Sequence, residues 1–119
     1  MRRTIPIAVL IAAVLAFAVL FATGWASSHK SPPTATVKIV QLKNGNYAFK
    51  PADITIKPGT EVIWNNTSGT DHTVTVNNHA GIDDIPPSSK AHLTFAKAGT
   101  FKYHCSFHPY MKGKITIKK

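Results

Sequence analysis

Apolar and polar residues alternate along most of the chain after position 36, and this period of two limits the possible folds more than any other feature. The alternating apolar pairs are Val37 and Ile39, Ile54 and Ile56, Val62 and Trp64, Val74 and Val76, Leu93 and Phe95, Phe101 and Tyr103, and Ile115 and Ile117. Successive side chains of a β-strand point to opposite faces, whereas a helix repeats every third or fourth residue. The pattern therefore predicts an all-β domain without a long helix.

Turn sequences separate these seven or so predicted strands. They are NGN at 44–46, KPGT at 57–60, PPSS at 86–89 and KAG at 97–99. Short strands with one apolar face each predict two antiparallel sheets packed face to face, and a closed small barrel is the alternative. Residues 77–89 lack the alternation and are expected to form an irregular surface segment.

The N-terminal region is of a different kind. Two arginines follow Met1, and residues 5–22 form an uncharged apolar run. As a helix, this run would reach roughly 27 Å, which is short for a bilayer span and long for the apolar part of a signal peptide. A segment buried in a soluble core is disfavoured, because so small a chain could not cover it on all sides.

The boundaries of the domain follow from this segment. Gly24 and Ala26 fit the small-x-small pattern of a cleavage site. We predict a signal peptide or membrane anchor at 1–26, a linker at 27–36 and a folded domain at 37–119. Either way the domain is expected to be exported, to the periplasm or the outer face of the cytoplasmic membrane.

The chain has a single cysteine, Cys105. A lone thiol in an oxidising compartment is open to oxidation or dimerisation unless it is buried or bound. His108 and Met111 follow it within the loop CSFHPYM, between two predicted strands. Pro109 disfavours a helix there, so a sulfur, an imidazole and a thioether can converge from one short loop.

A fourth donor is expected from another loop, and His72, which opens a predicted strand after a polar loop, is the best candidate. A thiolate with two imidazoles suits zinc or copper. The thioether favours copper, because two nitrogens and a thiolate with a long bond to methionine form the blue-copper type of electron-transfer site.

The segment YHCSFHPYMKGKITI resembles the C-terminal signature of the cupredoxins, the small blue copper proteins that include amicyanin and plastocyanin. Its Cys-x2-His-x2-Met spacing is most similar to amicyanin. ITIKPGTEVIWNN, DHTV and FAKAGTFKYHC are also similar to cupredoxin segments, so the resemblance covers most of residues 37–118. It implies a Greek-key β-sandwich, one type 1 copper ion and electron transfer.

The resemblance implies that His72, Cys105, His108 and Met111 are the copper ligands. It further implies that the amide of Asn66 links the two ligand loops and supports the thiolate. The sequence departs from the family beside the first histidine, where Asp71 and Thr73 replace the common proline and asparagine. TSGT also lengthens this loop slightly relative to plastocyanin. The hydrogen bonds around the site are therefore expected to differ from those of the family.

Three kinds of function could use these residues. A one-electron carrier is favoured, because a mixed Cys-His-Met site on a rigid sheet retains its metal. A copper-binding or delivery protein would need an exchangeable site. An enzyme with Cys105 as nucleophile would leave Met111 without a role and shows no oxyanion-hole motif. A two-copper centre is excluded because it needs two cysteines.

The charge of the chain bears on its partners. The formal net charge is +9, and +7 remains without Arg2 and Arg3. This excess predicts an acidic redox partner or an anionic membrane surface, although the lysines could serve only solubility. The resemblance implies brief docking at an apolar patch around His108, Pro109 and Tyr110. We expect a monomer with transient partners and no nucleic acid.

The remaining histidines are expected not to bind the metal. His29 lies in the linker, and His104 alternates away from Cys105 on its strand. His92 lies in a predicted strand. His79 is the exception, since it lies in the irregular segment and could approach the site or hold a second ion.

Overall fold

A computed structural model describes residues 30–119, and nine strands make up this part of the chain. They are β1 (Thr34–Gln41), β2 (Tyr47–Lys50), β3 (Asp53–Ile56), β4 (Thr60–Asn66), β5 (His72–Val76), β6 (Ile82–Ile85), β7 (Lys90–Phe95), β8 (Gly99–His104) and β9 (Lys112–Ile117). The described residues contain no helix. The all-β prediction is confirmed for them.

The strands form two sheets. One has the order β2-β1-β4-β7 and the other the order β3-β9-β8-β5-β6. Apolar side chains from both sheets meet in a single core, at whose centre Trp64 and Phe95 are the largest fully buried residues. The domain is therefore a sandwich of two sheets and not a closed barrel.

The prediction of purely antiparallel sheets was wrong. β1 pairs with β4 in parallel, and β3 pairs with β9 in parallel. After β1, strand β2 joins the first sheet and β3 joins the second. β4 then returns to the first sheet and runs beside β1 in the same direction. Alternation along a strand is the same for both pairings, so the sequence pattern could not distinguish them.

Two strands lie where the alternating pattern did not predict them. β2 has one fully buried apolar residue, Phe49, and β6 has one, Ile85. β6 falls within residues 77–89, the segment that we expected to be irregular. β1 begins at Thr34, within the predicted linker. β2 begins with three apolar residues in succession and β6 has two acidic residues between its isoleucines, so neither strand alternates with a period of two.

Alternation places most of the predicted apolar residues in the core, while Ile54, Leu93 and Phe101 are partly buried against it. Val37 and Ile39 of β1 and Val62 and Trp64 of β4 have no exposed surface. Burial of each such side chain contributes about 1.5–3 kcal/mol, and it holds the two sheets at a constant spacing. The KPGT turn between β3 and β4 is confirmed, because Gly59 has φ of 88° and Thr60 N–H donates to the Lys57 carbonyl at 3.2 Å.

The predicted signal peptide or membrane anchor, residues 1–26, lies outside the described residues. Among residues 30–119, no helix has the length and hydropathy needed to cross a membrane.

Candidate metal centre

Strand pairing brings the two ligand loops together at one end of the sandwich. β5 begins at His72, and β8 ends at His104, immediately before Cys105. β5 and β8 are antiparallel neighbours, with Thr75 opposite His104. The first residue of β5 therefore lies beside the first residues after β8.

The three side chains converge on a small volume. The Sγ atom of Cys105 is 3.7 Å from Nδ1 of His72 and 3.6 Å from Nδ1 of His108. The potential ligand atoms of these residues all lie within 4.8 Å of one another. Cys105 and His72 are fully buried, while His108 is partly exposed. One ion placed among them could contact all three.

Backbone hydrogen bonds close the loop that carries Cys105, His108 and Met111. Cys105 N–H donates to the Met111 carbonyl at 3.1 Å, and Met111 N–H donates to the His108 carbonyl at 2.8 Å. His108 N–H in turn donates to the Cys105 carbonyl at 3.2 Å. Met111 is only 1% exposed, so this closed loop leaves its thioether buried beside the strand ends.

Thr73 connects the two ligand loops. Its N–H donates to Cys105 Sγ at 3.4 Å, and its Oγ1 accepts from Ser106 N–H at 2.8 Å. A hydrogen bond to sulfur stabilises the thiolate form, and the second bond holds the Cys105 loop in place. Thr73 was noted from the sequence only as a departure from the family pattern.

Asn66 has other partners than the family resemblance implied. Its Nδ2 donates to the carbonyls of Thr70 and Ile85, both at 2.8 Å. Its Oδ1 accepts from Ser68. Among the described residues it is therefore Thr73, and not the Asn66 amide, that bonds to the Cys105 loop. Two of these partners, Ser68 and Thr70, lie in the TSGT loop.

Tyr47 covers both imidazoles. Its ring centroid is 4.9 Å from that of His72 and 4.8 Å from that of His108. Its N–H donates to the hydroxyl of Tyr110 at 2.9 Å, which connects β2 to the Cys105 loop. Sequence reasoning missed Tyr47 because it lies in β2, a strand that the alternation did not reveal.

Two exposed aromatic side chains lie beside His108 in the Cys105 loop. Phe107 is 57% exposed and Tyr110 is 49% exposed, and these are the exposed large apolar side chains of the described residues. Both neighbour His108 in the loop. The predicted apolar patch thus includes Phe107 as well as Tyr110.

Burial lowers the pKa of His72 from 6.5 to about 4, with a further lowering by His108 and an opposing effect of Asp71. The neutral imidazole is the form that can donate a lone pair to a metal. Near neutral pH, the folded chain therefore keeps this ring ready for metal binding.

This pKa predicts how acid affects the metal-free protein. The unfolded chain takes up a proton at His72 below pH 6.5, and the folded chain does so only near pH 4, so acid favours unfolding. Between pH 7.5 and 4.5 we expect the free energy of unfolding to fall by about 1–3 kcal/mol through this group. Urea unfolding measures the change, and His72→Gln should reduce the pH dependence. If the free energy of unfolding depended equally on pH in the parent and in His72→Gln, the prediction would be wrong.

The other histidines of residues 30–119 lie away from this cluster, and His29 lies outside the described residues. His79 stacks on Phe95 with centroids 4.4 Å apart, and Nδ1 of His92 lies 3.1 Å from a carboxylate oxygen of Glu61. His104 lines a cavity on the outer face of β8 and β9. Of the described histidines, only His72 and His108 belong to the group around Cys105.

The donor set fits copper by its chemistry. Two imidazole nitrogens lie close to the Cys105 sulfur, and the buried thioether of Met111 is at the end of the Cys105 loop. Soft thiolate and thioether donors suit copper, and zinc sites in proteins use thiolates, imidazoles and carboxylates.

Comparisons with known proteins agree with this geometry. A family model described as the cupredoxin-like domain matches residues 13–117. Amicyanin-alpha of Methylorubrum extorquens is 31% identical over 123 aligned positions, which cover 98% of this chain and 99% of the relative. A solved structure of a reduced amicyanin variant has a TM-score of 0.64 at 23% identity, over 78% of this chain and 90% of that chain.

One of the similar solved structures is that of a larger protein. A copper-containing nitrite reductase from Thermus scotoductus has a TM-score of 0.64 at 28% identity over 83% of this chain. The match covers 26% of the reductase. It concerns one part of that enzyme.

Proposed function

The chain belongs to the cupredoxin-like domain family, and from this premise we propose that it is an exported carrier of single electrons with one copper ion held by His72, Cys105, His108 and Met111. The observation that carries the proposal is the convergence of two Nδ1 atoms on the lone thiol, at 3.7 and 3.6 Å. Bound copper supplies a one-electron redox couple at this end of the sandwich.

The chain's own residues limit the motion that accompanies each change of charge. Cu(I) and Cu(II) prefer different geometries, so a carrier needs ligands that stay in place. The three backbone bonds within the Cys105 loop and the Thr73 bonds to Cys105 and Ser106 supply this restraint. The Tyr47 ring packs against both imidazoles and limits their movement.

His108 is the proposed point of electron exit. It is the one partly exposed member of the cluster, and Phe107 and Tyr110 beside it form an apolar contact surface. Transient redox encounters use small interfaces, and such a surface can release its partner quickly because few polar bonds must break.

A visible spectrum and voltammetry of the copper-loaded protein test the proposal. A carrier should show an intense band at roughly 600 nm from charge transfer between thiolate and Cu(II), together with a reversible one-electron wave. A colourless adduct that releases copper to a chelator within minutes would instead indicate delivery, the alternative function. A catalytic nitrite reductase is not proposed, because the chain matches only about a quarter of that enzyme.

The partner is proposed to be acidic. Lys102 and His104 of β8 lie directly opposite Lys114 and Lys112 of β9, and all four line one cavity of about 420 Å³. Like charges on facing strands repel each other, and the one acidic residue at this cavity is Asp53, 3.9 Å from Lys114. The face therefore favours a negatively charged partner.

Loss of two of these lysines should slow electron transfer to an anion. For Lys102→Gln/Lys112→Gln we expect oxidation by ferricyanide at low salt to be about two- to fivefold slower, because the attractive field is weaker. The difference should disappear in about 1 M salt, where the Debye length is near 3 Å. Stopped-flow absorbance measures both rates.

A double variant on the other sheet is the matched control. Lys38→Gln/Lys43→Gln removes the same charge from β1 and the turn after it. An equal slowing in both double variants would show that net charge acts, and that the β8–β9 face has no special part in the encounter.

A further inference from the structure

Ser68 is hydrogen-bonded to His72 on the side of the ring away from Cys105. The Oγ of Ser68 is 2.8 Å from Nε2 of His72, while Nδ1 of the same ring is 3.7 Å from Cys105 Sγ. Ser68 is 7% exposed and His72 has no exposed surface, so bulk water does not compete for this bond. The position of its proton decides which ring nitrogen keeps a lone pair.

The orientation of the Asn66 amide is determined by its partners. One end of the amide lies 2.8 Å from the carbonyl oxygens of both Thr70 and Ile85. Carbonyl oxygens only accept hydrogen bonds, so this end must be the NH₂ group. The other end, Oδ1, therefore faces Ser68 and can only accept.

The Ser68 proton must then point away from His72. Ser68 Oγ is 2.7 Å from Asn66 Oδ1, and two oxygens at that distance without a proton between them would repel each other. The remaining carbonyl near Ser68 Oγ, that of Thr70 at 3.3 Å, is also only an acceptor. Ser68 has one proton, so its lone pairs face Nε2, and Nε2 must carry the proton of the neutral ring.

We propose that Ser68 is a positioning residue that holds His72 as the Nε2–H tautomer, so that the Nδ1 lone pair faces the thiol before a metal ion arrives. Asn66 acts through Ser68, because its Oδ1 accepts the hydrogen bond that the Ser68 hydroxyl donates. The TSGT loop, which departs from the family pattern, thus supplies the partner of the first histidine. The proposal rests on the proposed copper site, since it assigns how one of its ligands is prepared.

Nitrogen-15 NMR of the metal-free, full-length chain in mild detergent tests the proposal directly. In the parent protein at pH 7.5, the His72 signals should show a single tautomer with the proton on Nε2. Ser68→Ala should give a mixture with Nδ1–H, because Nε2 loses its acceptor. Ser68→Thr retains a hydroxyl and should restore the single tautomer. Ser89→Ala, which removes a hydroxyl bonded to the Pro86 carbonyl, is the matched control and should not change the His72 signals.

Copper(I) affinity by competition with a chromophoric chelator gives a second readout. Loss of a partner that orients a ligand typically costs 10–100-fold in metal affinity, so Ser68→Ala should weaken binding by about that factor while Ser68→Thr and Ser89→Ala bind as the parent does. A parent protein with Nδ1–H, or a Ser68→Ala protein that keeps the Nε2–H tautomer, would overturn the assignment.

The tautomer results, taken together with the visible spectrum and the redox wave, separate this assignment from the proposed function. If copper binds without blue colour but the tautomer results hold, the positioning role stands and the carrier function fails. If the blue colour and the redox wave are present while Ser68→Ala leaves the tautomer unchanged, the carrier function stands and the positioning role is overturned.

Discussion

The Cys105→Ala protein should lose the intense visible band entirely and should bind Cu(I) at least about 100-fold more weakly than the parent. The band needs a thiolate, and Cys105 is the one cysteine in the chain. The two Nδ1 atoms would remain with Met111, but without the anionic donor that lies 3.6–3.7 Å from both. Removal of a direct ligand should exceed the 10–100-fold loss typical of an outer partner. Absorption spectra and chelator competition measure the two effects.

His79→Ala is the matched control for this experiment. The ring of His79 stacks on Phe95 and lies edge-on to Phe101, with centroids 4.4 and 5.4 Å apart. Its removal should leave both the band and the affinity intact. A band that survives in Cys105→Ala, or one that is lost in His79→Ala, would show that the metal is bound elsewhere.

Gly113→Ala should destabilise the metal-free protein by about 3 kcal/mol. A Cβ at this position would overlap the ring of Tyr103 on the neighbouring strand. That ring cannot easily move, because it is 2% exposed and lies edge-on to Phe49 and Trp64. Overpacking of a tight core typically costs 1–3 kcal/mol and sometimes more. In a domain of this size the melting temperature should fall by about 12–24 °C.

Gly69→Ala is the control for the glycine substitution. A Cβ at Gly69 meets no atom within 4 Å, so the melting temperature should stay within a few degrees of the parent. Differential scanning calorimetry of the three metal-free proteins measures the effect. If Gly113→Ala were as stable as Gly69→Ala, the close approach of β9 to Tyr103 would be refuted. Because Gly113 follows Met111 by two residues, a shift of β9 should also weaken copper binding.

The ligand set could be proposed from the sequence because three of its members lie in one short loop. The proximity of Cys105, His108 and Met111 could be predicted without the strand order, because all three lie in one loop of seven residues between consecutive strands. Their spacing also carried the family resemblance. His72 was harder, since its distance from Cys105 depends on whether β5 and β8 are neighbours.

The hydrogen bonds around the ligands could not be predicted in the same way. Asn66 was assigned to the Cys105 loop by resemblance, yet it bonds to Thr70, Ile85 and Ser68. Ser68 and Thr73 are small polar residues of ordinary appearance in a sequence. Ser68 matters because it lies 2.8 Å from Nε2 of the His72 ring, and Thr73 because its N–H lies 3.4 Å from the Cys105 sulfur. Distances of that kind depend on loop conformation.

The sequence by itself determined the all-β class, the inward residues such as Val37 and Trp64, and the lone thiol among soft donors. Alternation and donor chemistry are local properties, so they can be read from the order of residues alone. Only the tertiary structure decided the parallel pairs β1–β4 and β3–β9, the cover that Tyr47 provides over both imidazoles, and the partners of Ser68 and Asn66. The strand pairs and the Tyr47 contacts join residues far apart in the chain, whereas most Ser68 and Asn66 bonds join near neighbours and depend on how their loop folds. Both kinds of feature depend on angstrom-scale distances that no local pattern encodes.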